Sequence, residues 1–155
     1  MTEENQNQVS IGNDINARDD ELSSYKDENI ELSSNGLTIK NYYFPTLGSK
    51  TIPIDKIKNV ELFELDWVNG KNKLWGLSLN FYYYNLDKNR SNKTHGITIK
   101  EDGDLIGTQI TPDEPKKCLK VLQNLMSTKK DNKKSDALLK EGEKEALKNG
   151  KEKRN

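Results

Sequence analysis

A mainly β domain of seven antiparallel strands, closed by one C-terminal helix and set between two polar tails, is the fold class this sequence predicts. Three observations carry that expectation. Most aromatic and β-branched residues fall between residues 25 and 110, in short alternating runs broken by Asn-Gly, Asp-Gly and Pro. After residue 111 the apolar period changes from two to about 3.6, the period of a helix. Charge is also segregated. Residues 1–24 hold six acids and one base, 25–127 hold 13 acids and 14 bases, and 128–155 hold six acids and 10 bases. A formal charge of zero therefore hides an acidic head and a basic tail.

The head, residues 1–24, has only Val9, Ile11, Ile15 and Leu22 as sizeable apolar residues. That is too little surface to offset its ordering entropy, so disorder is expected. The strands are expected at about 28–33, 36–44, 49–54, 57–66, 73–84, 95–100 and 104–110. Asn35-Gly36 turns the first pair. Pro45 and Gly48 end the second strand, and Pro53 with Asp55-Lys56 ends the third. Asn69-Gly70 and Asp102-Gly103 are hairpin signals. The best strand is the fifth. Its odd positions Trp75, Leu77, Leu79, Phe81 and Tyr83 form the expected core face, with Tyr82 and Tyr84 opposite. Short connections favour a meander.

Thr111-Pro112-Asp113-Glu114-Pro115 opens the helix, with Thr111 or Asp113 as the N-cap. Cys118, Leu119, Val121, Leu122, Leu125 and Met126 then make one wide apolar stripe, so residues up to about 126 must dock on the sheet. The tail, 128–155, is charged and is expected to be partly helical or disordered, packing on nothing.

Several classes of protein are excluded or disfavoured. No run of about 18 apolar residues is present. Residues 1–8 lack the basic start and apolar core of a signal peptide. Cys118 is the only cysteine, so no intramolecular disulfide forms, and a cytoplasmic location is expected. One His and one Cys do not make a four-ligand zinc site. His95 has no nucleophile or carboxylate at a diagnostic spacing. Glu101, Asp102 and Asp104 lack the twelve-residue calcium pattern and read as turn chemistry. With no phosphate loop or nucleophile motif, neither an enzyme nor a cofactor is expected.

In its motifs the chain resembles the bacterial-type pleckstrin-homology (PH)-like domains. The matching residues are Asn35-Gly36-Leu37-Thr38-Ile39, Thr51-Ile52-Pro53-Ile54-Asp55-Lys56-Ile57, Trp75-Gly76, and Ile110-Thr111-Pro112-Asp113-Glu114-Pro115. The resemblance implies a seven-stranded, partly open barrel over 25–127, plugged by the helix. It also implies a groove between the fifth strand and the helix, where a peptide adds as a strand. The eukaryotic relatives bind phosphoinositides through basic residues at the first hairpin. Here that hairpin is Ser33-Ser34-Asn35-Gly36, without Lys or Arg, so phosphoinositide recognition is not expected.

On that barrel, alternate loops share an end. One end gathers Lys50, Lys71, Lys73, Lys88, Arg90 and Lys93 with few acids. These six residues, with Tyr82 and Tyr84, are the candidate binding residues. Trp67 is expected to pack at the barrel mouth. The expected function is a non-catalytic interaction module, an adaptor or scaffold with a protein partner. The second expectation is a peripheral binder of anionic membrane or another polyanion, using the basic loop end and the tail.

Overall fold

Alternation along the chain builds two separate sheets. The structure is a computed structural model and describes residues 23–67, 70–78 and 80–152. The expectations for residues 1–22, for Asn69 and for Leu79 lie outside the described residues. Strands β1 (Tyr25–Lys26), β2 (Ile30–Ser33), β3 (Gly36–Tyr43) and β4 (Gly48–Ile52) form an antiparallel sheet in that order. In it Leu32 pairs with Leu37, and Leu37 with Ile52, on either side of the Asn35-Gly36 turn. The inward set Ile30, Leu32, Leu37, Ile39 and Ile52 is wholly buried.

A second sheet holds β5 (Ile57–Glu64), β6 (Gly76–Leu77), β7 (Tyr82–Tyr84), β8 (His95–Glu101) and β9 (Gly107–Ile110), in the order β5-β8-β9-β7-β6. Ile97 and Ile99 of β8 face inward between Val60 and Ile110. Lys50 of the first sheet joins the two by an ion pair to Glu101 and a hydrogen bond to Thr108 Oγ1. Tyr42 spans the same gap, sharing a hydrogen bond with the Thr108 hydroxyl at 3.0 Å and packing on Tyr83.

The expected seven-stranded barrel does not form. The sheets stay open, and mainly β with a C-terminal helix is what holds of that expectation. Two local causes account for it. After Pro53 the chain makes a 3-10 turn at Ile54–Lys56, so β4 and β5 leave for different sheets instead of pairing as a hairpin. The expected strand at 73–84 folds back on itself. Ser78 N–H donates to Tyr82 O and Phe81 N–H to Ser78 O, so β6 and β7 become a short hairpin. Phe81 sits at φ 60° in that turn, a costly conformation for an aromatic residue. β7 then runs parallel to β9, where an antiparallel meander was expected.

Helix α1 (Pro115–Glu152) packs against β1 and β2 of the first sheet, β5 and β8 of the second, and the 3-10 turn between them. Its stripe Cys118, Val121, Leu122, Leu125 and Met126 is buried as expected. Five side chains of this size are worth about 8–15 kcal/mol gross, an upper bound. The helix does not stop near residue 126 but continues into the tail, where every side chain from 127 to 146 is exposed. Its start also differs. Glu114 accepts the first helical bond from Cys118 N–H, while the Thr111 hydroxyl is buried elsewhere. The orphan donors at the start of the helix go to β1 and its turn. Asp113 N–H donates to Asp27 Oδ2 and Glu114 N–H to Tyr25 Oη.

Candidate functional site

Residues 85–93 form a loop whose interior is ionic. Asp87 accepts from the Thr111 hydroxyl, from Lys93 Nζ at 3.0 Å and from Asn89 N–H at 2.9 Å. Lys93 also pairs with Asp113 at 2.8 Å. Arg90 is 1% exposed. Its guanidinium donates to Lys73 O and Asn85 O at 2.6 Å each, and its Nε reaches Thr111 Oγ1. Its plane lies over the Tyr84 ring, 4.8 Å from the centroid. Gly70 lies close to the same ring. At φ 87° a Cβ there would come within 2.8 Å of Tyr84, so only glycine passes.

Burial would raise the Asp87 carboxyl, but the Thr111 and Lys93 hydrogen bonds outweigh it and hold the group below its usual value. Burial likewise opposes the Lys93 charge, and Asp113 with Asp87 lifts its ammonium above the ordinary range. Burial draws the Arg90 guanidinium down to about 10, against the pull of Asp87 and Tyr84, so it stays charged at neutral pH. Burial raises the Tyr84 phenol, with Arg90 opposing.

This knot positions a surface. Leu86 N–H donates to Asn41 O, Asp87 N–H reaches Leu74 O, and Arg90 holds Lys73 O. Leu86 and Trp75 are thereby fixed on two sides of a hollow of about 70 Å³, completed by Tyr42, Tyr43, Phe44 and Leu47. Phe44 stacks on Trp75 with centroids 4.5 Å apart. Even so, Phe44 is 58% exposed, Tyr43 50%, Leu47 49% and Trp75 36%. Asn41, at the register shift within β3, and Leu47, just before β4, have φ 52° and 55°, and a left-handed leucine is rare. The hollow is well below the roughly 300–1,000 Å³ of a small-molecule pocket. It is sized for one apolar side chain.

Of the six basic candidates, Lys71, Lys73, Lys88, Arg90 and Lys93 lie in the 70–93 segment, and Lys50 lies on β4. Lys50 lies between the sheets, where burial is outweighed by the Glu101 hydrogen bond and its ammonium is raised. Arg90 and Lys93 are internal ties. Lys73 donates to Leu77 O and approaches the Tyr84 ring at 5.7 Å. Lys71 is half-buried, which leaves Lys88 as the exposed member of the set. Tyr84 is buried, and Tyr82 packs its ring over Gly107 beside a 440 Å³ cleft that also takes in Phe81, Lys100 and Leu105. Trp67 is 84% exposed and caps nothing. Trp75, Leu77 and Phe81, expected in the core, are exposed. His95 shares a hydrogen bond with the Thr94 hydroxyl. Cys118 is buried, which pushes its thiol up.

The hollow was missed at the sequence level. The signal for it was the run Tyr42-Tyr43-Phe44. A strand with one face in the core buries alternate residues, so three consecutive aromatics leave at least one outside. Among the described residues no three His, Cys, Asp or Glu side chains converge as metal ligands, and no helix is long and apolar enough to cross a membrane. Comparison with protein-family models, with curated proteins and with solved structures finds no match to this chain. The PH-like resemblance therefore stands on its sequence motifs alone.

Proposed function

We propose that this chain is a non-catalytic interaction module whose site is the aromatic hollow, and that its partner is a protein that inserts one apolar side chain there. One observation carries the proposal. Tyr43, Phe44, Leu47 and Trp75 are exposed together around a hollow. Clustered exposed apolar groups mark contact surfaces, and aromatic residues supply most of the energy in such contacts. The buried knot supports it by holding Leu86 and the residues just before Trp75 in place without a ligand, which lowers the ordering cost of binding. A single cysteine, buried as a thiol, suits the cytoplasm.

A photo-crosslinking residue at Phe44 in the full chain tests this, with the same residue at exposed Lys140 as the control. A protein captured from cell extract through position 44, absent from position 140 and lost on Trp75→Ala, is the expected result. Equal capture at both positions contradicts it. The alternative, a peripheral binder of anionic membrane, rests on exposed Lys88, which shares a neighbouring hollow with Leu47, and on the basic tail. Salt-sensitive sedimentation with anionic vesicles, lost when Lys71, Lys73 and Lys88 are reversed to Glu, is the outcome that selects it.

A further inference from the structure

A second cleft lies where α1 leaves the domain. Its floor is Ile54, Ile57 and Met126, and its rim is Lys129, Lys130 and Lys133, with a volume of about 220 Å³. Asp55 is the acid in its lining. The three lysines continue the helix face that upstream carries Leu122 and Met126, by the i, i+4 and i, i+7 spacing of a helix. The core stripe is thus replaced by cations at the point where the helix passes the edge of the sheets. All three lysines are exposed, and none has an acidic partner among the described residues. An apolar floor under a cationic rim fits a segment that carries both aliphatic and acidic residues.

This chain carries such a segment. Residues 9–21 contain Val9, Ile11 and Ile15 with Asp14, Asp19, Asp20 and Glu21, and Arg18 is their one base. We propose that the chain's own acidic head occupies this cleft. The head is tethered at the right place. Tyr25 accepts the N–H of Glu114, so the head joins the domain at the first turn of α1. From Glu114 to Lys129 is about 22 Å, and to Lys133 about 28 Å, at 1.5 Å per helical residue. An extended chain covers about 3.3–3.6 Å per residue, so Asp19 reaches about 20 Å from Tyr25 and Asp14 more than 35 Å. Asp19 and Asp20 therefore reach Lys129 with the help of the lysine's own length. Asp14 reaches Lys133 with chain to spare, and Ile15, ten residues from Tyr25, has length enough to reach the cleft as well. Tethering supplies an effective concentration of order mM, so weak contacts suffice. None of these residues belongs to the aromatic hollow, so the two sites stand or fall separately.

Paramagnetic relaxation in the full chain tests the proposal. A nitroxide is placed at Gly12→Cys, and buried Cys118 is left as it is. Amides of Ile57 and Lys130 lose most of their intensity at low salt. They recover near 1 M salt, where the Debye length is about 3 Å. Reversing Lys129, Lys130 and Lys133 to Glu abolishes the loss, and adding Asp14→Lys, Asp19→Lys and Asp20→Lys in that background restores it. Unbroadened amides at low salt overturn the proposal. So does broadening that appears only when spin-labelled and isotope-labelled chains are mixed, because the occupant is then another copy's head.

Discussion

The space between the two sheets and the interior of the 70–93 segment are filled by opposite chemistries. The first is hydrocarbon: Ile30, Leu37, Ile39, Ile52, Ile97, Ile99, Ile110 and Leu122 are wholly buried around the stripe of α1. The second centres on Asp87, Arg90, Lys93, Thr111 and Tyr84, with no aliphatic cluster of its own. An aliphatic core tolerates small shifts because dispersion and burial are not directional. An ionic knot fixes its parts by hydrogen-bond geometry and loses most of its value when one member goes. The first chemistry holds the fold together, and the second aims Leu86 and Trp75.

Substitutions separate the two. Leu122→Asp is expected to have the largest effect. Truncating a buried leucine alone costs about 2–5 kcal/mol, and an unpaired buried carboxylate adds to that. The whole domain then loses its cooperative transition, and an unchanged melting temperature would refute the docking of α1. Arg90→Met comes next, at about 3 kcal/mol, because it leaves the carbonyls of Lys73 and Asn85 without their donor. Its effect stays local. Hydrogen exchange quickens at Leu86 and Asp87, while Ile97 and Ile99 keep their protection. Arg90→Lys does not rescue it, since an ammonium lacks the planar fork that reaches both carbonyls.

Acid acts on the same region more weakly. The Asp87 carboxyl is held below its usual value, so its contribution is complete above an unfolded pKa of about 4. That contribution is lost as pH falls through the lowered folded value. The opening of the 85–93 amides, taken as exchange relative to the intrinsic rate at each pH, should increase below about pH 4, and Asp87→Asn should flatten the profile. The smallest effect on stability belongs to Phe44→Ser. An exposed side chain changes the unfolding free energy by about 0.5 kcal/mol or less, as a urea titration would show, while capture of a partner at the hollow is lost.

The same contrast explains what the sequence revealed. β2, β3, β5 and β8 were legible because each has one face in the hydrocarbon core, and alternation reports that directly. The stripe Cys118 to Met126 was legible for the same reason. The stretch 73–84 was not. Trp75, Leu77 and Phe81 on one face and Tyr82 and Tyr84 on the other are all apolar or aromatic, so period two does not distinguish one long strand from a strand folded on itself. The fold-back places Phe81 at a positive φ, and the turn formers beside it, Ser78 and Asn80, read equally well as the polar positions of one long strand. Arg90 sits in a polar Asn- and Lys-containing loop that looks solvated, and its main acceptors are backbone carbonyls, to which composition is blind. Pairing Lys50 with Glu101 and Lys93 with Asp113 likewise required the fold. For that reason the internal roles of Lys50, Arg90 and Lys93 were not legible in the sequence.

Native-state hydrogen exchange under increasing denaturant tests most directly whether the knot is a unit of its own. The amides of Leu86, Asp87 and Lys93, bonded within or beside the loop, should open together at a lower free energy than those of Ile97 and Ile99 at the centre of the second sheet. Arg90→Met should lower only the first group. If both groups open at one free energy, and both fall together in Arg90→Met, the two regions are a single unit and the knot has no separate role in positioning the hollow.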